Sequence, residues 1–234
     1  MVRVLVTRPE PAASRTARSL AARGHTPLLA PMLRMRRLSP ADRDVPADGA
    51  ALAVTSARAI EAVADTPMWE TLRDLPVFAV GEATARAART AGAARVVPAG
   101  GDLDALAAQV VRAHPRRVIY LAGRQRSGDL CAVLRAAGIA CDLHEVYDME
   151  TAPAPSEALR AVLEETETPL AAPVYSRRSA EALAAALSGL DSQGKLVFFA
   201  LSEQIADPLR AFGPCHVASE PSEPALIALL EKTC

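Results

Sequence analysis

Residues Val174 to Leu183 repeat, 120 positions on, the residues Val54 to Val63, with valine, serine, arginine, glutamate and alanine coinciding in both copies. Each copy reads as the end of a buried strand, a serine-bearing turn that can cap a helix, and the start of an apolar-periodic helix. The repeat continues. Ala79-Val80-Gly81-Glu82, with Ala85, Arg89 and Gly92, is echoed by Ala200-Leu201-Ser202-Glu203, with Ala206, Arg210 and Gly213. Ala105 and Leu106 are echoed by Ala225 and Leu226. A fourth pair breaks the order. Arg3-Val4-Leu5-Val6, with Leu20, Ala22 and Gly24, matches Arg117-Val118-Ile119-Tyr120, with Leu134, Ala136 and Gly138, at an offset of 114. The unit comes first in one set and last in the other. The halves therefore read as circular permutations of one another, with the middle of the chain inserted into a domain completed by the N-terminal strand and helix.

The 234 residues suffice for two α/β domains, each with its own core. Strand and helix signals alternate throughout, which argues for parallel sheets flanked by helices. The expected fold class is α/β, with two similar flavodoxin-like domains, the first discontinuous, joined by a two-stranded β linker. Its boundaries are residues 1–34 plus 152–234 for domain 1, 35–38 and 143–151 for the linker strands, and 39–142 for the inserted domain 2. The apolar, extended stretch 26–38 reads as the first crossing strand, and a new segment starts at Ser39-Pro40. The returning strand begins near Ile139, and the Pro-rich run 151–155 is a linker.

A formal net charge of -1 gives no support for a nucleic-acid or anionic-membrane partner. The N-terminus lacks a signal-peptide core, and no run approaches the roughly 20 apolar residues of a membrane span, so a soluble cytoplasmic protein is expected. Cys131, Cys141, Cys215 and Cys234 form no CxxC pair and read as free thiols, the first three as core residues. The four histidines have no ligand-like spacing, and no metal site is expected.

In parallel α/β sheets, ligands sit outside the carboxyl ends of the strands, where helix N-termini present unpaired amides. The repeated turns fall there. Thr55, Ser56, Gly81, Thr84, Gly123, Arg124, Ser176 and Ser202 are candidates for holding carboxylates or phosphates, while each serine or threonine also reads as a simple N-cap. Arg8, Arg124 and Arg126 follow strands in loop positions, as ligand partners or as surface residues. Gly100-Gly101-Asp102 lacks the context of a nucleotide loop, and nothing reads as a Ser/His/Asp triad.

Val4-Leu5-Val6-Thr7-Arg8-Pro9, Thr55-Ser56-Ala57-Arg58-Ala59-Ile60-Glu61-Ala62, Ala79-Val80-Gly81-Glu82-Ala83-Thr84-Ala85, Val146-Tyr147 and Tyr175-Ser176-Arg177-Arg178-Ser179-Ala180 together resemble the uroporphyrinogen-III synthase family. The motifs are short, but they stand in the right order over nearly the whole chain. The resemblance implies two α/β domains joined by a two-stranded ladder. It also implies cyclisation of hydroxymethylbilane, a linear tetrapyrrole, with loss of water and inversion of ring D through a spiro intermediate, in haem biosynthesis. A cofactor-free hydro-lyase acting as a monomer is the form it suggests. By the same resemblance, Tyr147 assists departure of the substrate hydroxyl, Thr84 binds substrate, and Ser56 and Ser176 are the serines of the two TS-type turns.

The chain departs from the family pattern in two places. Leu201-Ser202-Glu203-Gln204-Ile205-Ala206 stands where Gly-Pro-Thr-Thr-Ala is common, and Ala57 and Arg177 stand where a proline often follows the serine. The rival reading is a non-catalytic, two-domain cytoplasmic binding protein for a polyanionic small molecule. Turnover separates the two.

Overall fold

The run from Ala50 to Val54 is apolar at every position and buried at every position, as a central strand of a parallel sheet covered on both faces must be. The computed structural model describes residues 1–38, 48–152, 155–164 and 168–234, and builds them into a five-stranded and a six-stranded sheet. Every strand pair with a described register is parallel. The parallel α/β architecture is the one expected from the sequence.

The chain opens with β1 (Arg3–Val6), α1 (Ala12–Ala22), β2 (Thr26–Leu29) and β3 (Leu33–Arg37). It continues with β4 (Ala50–Val54), α2 (Ala57–Val63), α3 (Pro67–Leu72), β5 (Val77–Ala79), α4 (Glu82–Thr90) and β6 (Val96–Pro98). Then come α5 (Leu103–Ala113), β7 (Arg117–Gly123), α6 (Leu130–Ala136), β8 (Ala140–Thr151) and α7 (Pro155–Glu164). The last stretch holds β9 (Leu170–Val174), α8 (Arg177–Leu187), β10 (Leu196–Ala200), α9 (Glu203–Ala206), a 3-10 turn at Asp207–Leu209, β11 (Cys215–Val217) and α10 (Glu223–Thr233).

Two compact units result, residues 1–35 with 150–234 and residues 36–149. The first has strand order β11-β10-β9-β1-β2. The second has β6-β5-β4-β7-β8 with β3 beyond β8. Register makes the kinship specific. Ala171 lies opposite Val4 as Ala51 lies opposite Val118, and Ala172 opposite Phe198 as Leu52 opposite Val77. Arg3 lies opposite Thr26 as Arg117 lies opposite Ala140. The offsets of 120 and 114 seen in the sequence are thus the offsets of the paired backbones.

Strand alternation sorts the cores. In the first unit Val4 and Val6 face α1 and α10 through Leu20, Leu226, Ile227 and Leu230, while Leu5 faces α7 and α8 through Leu159, Leu163 and Leu183. In the second, Ala51, Val118 and Tyr120 face α5 and α6 through Leu106, Val110, Leu130 and Leu134. Helix α5 illustrates the local reasons. Its apolar residues 106, 107 and 110 share one face, the Asp102 carboxylate accepts from Ala105 N at 2.7 Å, and His114 ends the helix in the left-handed region (φ 46°). That cap contributes about 1 kcal/mol.

Several local expectations are corrected. The extended stretch 26–38 is two strands, because Pro31 has no N–H to give between Ala30, which donates to Val6 O, and Met32, which donates to Thr7 O. The stretch 203–209 forms only the short helix α9 and a 3-10 turn at Pro208. Helix α3 follows α2 after a short turn. It is anchored by fully buried Trp69, whose indole donates to Ala91 O at 2.8 Å, and truncating that side chain to alanine would cost about 3–5 kcal/mol. Cys131 and Cys141, expected as free thiols, form a disulfide: α6 lies beside β8 and brings their Cα atoms to 5.2 Å. Cys215 and Cys234 are free. The segment start at Ser39-Pro40 and the middle of the Pro-rich linker fall outside the described residues.

Candidate functional site

In each sheet the strand order reverses between two neighbours, β9 and β1 in the first unit, β4 and β7 in the second. Chains leaving such neighbours go to opposite faces and open a crevice at their carboxyl ends. In the second unit that crevice is a cavity of about 430 Å³. Thr55 and Ser56 enter it from the end of β4, Tyr120 and Gly123 from β7, Arg126 and Ser127 from the following loop, Tyr147 from β8, and Gly101 to Leu103 from the start of α5.

Tyr147 reaches the cavity through two sequence features. The β7–β8 ladder pairs Ala122 with Glu145 and then Gly123 with Tyr147, so Val146 is an extra residue on β8. Such a bulge re-aims the side chain that follows it. Gly123 supplies the room, since a Cβ there would sit 2.7 Å from Tyr147 Cζ and 2.9 Å from its hydroxyl oxygen. The glycine is needed for close approach, and Arg124 N ties the two strands again by donating to Tyr147 O at 2.9 Å.

Tyr120 is nearly fully buried, and its hydroxyl lies 3.0 Å from Thr55 Oγ1. Burial, more than the opposing bond to Thr55, pushes its phenol pKa up. Ser56 caps α2, its hydroxyl oxygen accepting from Arg58 N at 3.2 Å.

The two arginines of the 123–128 loop are committed to carboxylates on β8. Arg126 donates to Gly123 O at 2.8 Å and to Glu145 Oε1 at 2.9 Å, and Arg124 lies 3.4 Å from both Glu145 and Asp148. The bond from Arg126, chiefly, holds the Glu145 carboxyl below its usual range; burial opposes it, and the bond from Arg124 and the charges of both arginines add to the lowering. Asp148 Oδ1 is buried and finds no hydrogen-bond partner among the described residues.

The matching crevice in the first unit is crossed by side chains. Glu223 Oε1 accepts from Arg8 at 2.9 Å, Thr16 at 3.0 Å and Tyr175 at 2.9 Å, and the Arg8 guanidinium lies 4.0 Å over the Tyr175 ring. Burial, followed by the Glu223 charge, raises the Tyr175 phenol well above its ordinary value.

Of the residues singled out in the sequence, Thr55, Ser56, Gly123 and Tyr147 come together in the cavity. Gly81 caps α4, Thr84 is buried in that helix's first turn, and Arg124 is held by Glu145 and Asp148. Arg8, Ser176 and Ser202 belong to the first unit, where Ser176 caps α8 by accepting from Ser179 N and Ser202 precedes α9. Sequence reasoning missed Tyr120, Gln125, Ser127 and Leu103. For Tyr120 a signal existed, because a phenol inside the apolar run 118–122 must find a hydrogen-bond partner when buried. Among the described residues, no cluster of three or more His, Cys, Asp or Glu could hold a metal ion, and no helix is long and apolar enough to cross a membrane.

Similar proteins fit this arrangement. The chain is 18% identical to uroporphyrinogen-III synthetase from Helicobacter pylori, covering 100% of this chain and 99% of that one with a TM-score of 0.68. It is also 18% identical to a mutant uroporphyrinogen III synthase from Thermus thermophilus, covering 100% and 98% with a TM-score of 0.50. At that identity the likeness establishes a shared fold. A search of curated protein sequences returned no match. The family model described as uroporphyrinogen-III synthase HemD matches residues 14–228, nearly the whole chain. The chain belongs to the uroporphyrinogen-III synthase family.

Proposed function

We propose that the chain is a cofactor-free hydro-lyase that cyclises hydroxymethylbilane to uroporphyrinogen III, acting as a cytoplasmic monomer, with Tyr147 assisting the chemistry. The functional half in this reading is the inserted domain, residues 39–142, with the returning linker strand 143–151. The observation that carries the site is the Tyr147 ring seated on Gly123 in the switch-point cavity beside the hydroxyls of Thr55 and Ser56. A cavity of about 430 Å³ takes one end of a linear tetrapyrrole. Acetate and propionate carboxylates on that end suit hydroxyl donors, so a chain of net charge -1 holds a polyanion locally.

The reaction begins with cleavage of the carbon–oxygen bond of the hydroxymethyl group, the oxygen leaving with a proton as water. The Tyr147 phenol donates a hydrogen bond or the proton to that oxygen. The cationic carbon left behind is attacked by ring D at its substituted position, forming the spiro intermediate. The original bond between ring D and the bridge to its neighbouring pyrrole then breaks, the cationic bridge carbon so formed is attacked by the free position of ring D, which inverts the ring, and loss of the proton from that position restores the pyrrole. Thr55, Ser56 and the backbone around Gly123 hold the reacting end in place. Thr84, Gly81, Arg124, Arg8, Ser176 and Ser202 are proposed as further substrate-binding positions.

The test supplies freshly made hydroxymethylbilane to the purified chain, oxidises the products and separates type I from type III uroporphyrin. Type III in excess of the spontaneous type I background is expected. Tyr147→Phe is expected to lower kcat by on the order of 100-fold. Type I alone at the protein-free rate would sink the synthase reading in favour of a binding protein that retains the tetrapyrrole unchanged.

A further inference from the structure

Tyr120 is the polar group that the mechanism above leaves unused. Its ring lies in the core against α5 and α6, within a β7 run that is otherwise apolar. Tyr120 also lines the cavity, and its hydroxyl lies 3.0 Å from Thr55 Oγ1. A single hydrogen occupies that contact. The contact allows either hydroxyl to donate; a phenol is a far stronger acid than an aliphatic alcohol and is the better donor, so the favoured arrangement has Tyr120 donating and Thr55 Oγ1 accepting. Burial keeps the phenol protonated. With its oxygen engaged from below, Thr55 has its own hydrogen free to turn into the cavity as a donor. Ser56 is arranged alike, since its oxygen accepts from Arg58 N and leaves its hydrogen free.

We propose that Tyr120 is a positioning residue for the reaction, fixing the Thr55 hydroxyl as a donor to a carboxylate of the tetrapyrrole. This rests on the synthase reading and adds a residue to it. A threonine hydroxyl without the phenol beneath it can rotate, and its interaction with an anion then costs orientation on binding. The first unit has no such pair: Val6 stands at the position matching Tyr120 and Tyr175 at that matching Thr55.

The experiment measures KM and kcat for type III formation by the wild type, Tyr120→Phe, Thr55→Val, Thr55→Ser and the double variant Tyr120→Phe/Thr55→Val, with a melting curve for each. Tyr120→Phe is expected to raise KM about fivefold, the worth of one neutral hydrogen bond, and to change kcat less than KM. Thr55→Val is expected to raise KM about tenfold or more, as loss of a bond to a charged group does, and Thr55→Ser to restore most of it. The double variant is expected to match Thr55→Val alone, because Tyr120 acts only through that hydroxyl. A wild type that makes type III while Tyr120→Phe keeps its KM and loses only thermal stability overturns the inference and spares the synthase reading. Additive KM effects in the double variant do the same. A wild type that makes no type III overturns both.

Discussion

In the unit formed by residues 1–35 and 150–234, the crevice where strand order reverses is filled by the chain's own Glu223, held by Arg8, Thr16 and Tyr175. In the unit of residues 36–149, the position 120 residues earlier is Leu103, and the crevice is open. Both residues are the first of their helices, α10 and α5, each preceded by a capping side chain, Ser222 or Asp102. One fold with one register thus carries a carboxylate receptor satisfied internally and a cavity whose hydroxyls still have hydrogens to give. A difference of a few side chains decides whether a switch point is filled from within or stays open.

The sharpest way to break this comparison is to move the plug. Leu103→Glu places in the open cavity the carboxylate that closes the other one, and there it meets no Arg8 equivalent, since Ala122 stands at that position. Like charges brought together cost several kcal/mol, so KM for the anionic tetrapyrrole should rise by at least about 100-fold. An unchanged KM would mean that Leu103 does not border the bound substrate. Next in size is Gly123→Ala. Its methyl carbon would fall 2.7 Å from Tyr147 Cζ, forcing the ring to shift, and a misplacement of that order costs on the order of 100-fold in kcat. A variant with wild-type kcat would show that the ring's seat is irrelevant to turnover.

How much of this was legible beforehand follows the same division. Strand pairing was readable because it repeats: Val54 and Val174 end equivalent strands, and Arg3 and Arg117 open equivalent ones. Thr55, Ser56 and Gly123 were readable because carboxyl-end turns are where this architecture exposes amides and hydroxyls. Tyr120 carried only the signal of a buried phenol in need of a partner; which partner was not readable, since only three-dimensional pairing of β4 with β7 carries its hydroxyl to Thr55. The bulge at Val146 and the disulfide between Cys131 and Cys141 were invisible for the same reason, as both depend on what lies across from a residue. Arg8 and Arg124 looked free from sequence because their carboxylate partners stand on other elements, 215 residues away for Arg8 and 21 for the Glu145 partner of Arg124.

A smaller effect is expected from pulling the plug. Glu223→Ala leaves the buried Thr16 hydroxyl and the half-buried Tyr175 hydroxyl without this acceptor, although Glu223 and Arg8 are partly exposed and solvent screens much of the ion pair. The net loss should be about 1 kcal/mol, a fall in Tm of about 2–4 °C for a chain of this size. Glu223→Gln keeps an oxygen acceptor for Thr16 and Tyr175 and should recover most of it. If Glu223→Gln melts as low as Glu223→Ala, the charge rather than the shared oxygen holds this crevice closed.

The smallest effect is a pH dependence that belongs to the open unit. Glu145 is the acidic partner of Arg124 and Arg126, and its carboxyl is held below its usual range chiefly by the bond from Arg126. A carboxylate whose pKa is depressed by folding contributes stability above its unfolded pKa and loses it as pH falls through the folded value. The loss should therefore begin near pH ~4 and deepen below it. Glu145 is about one-third exposed, so after solvent screening the contribution is below about 1 kcal/mol. Melting curves of the wild type and Glu145→Gln between about pH 6 and pH 3 would read it, with the wild type higher at the upper end and the curves converging as Glu145 protonates. A gap that stays constant over that window would mean that the Glu145 charge does not hold the arginines of the 123–128 loop.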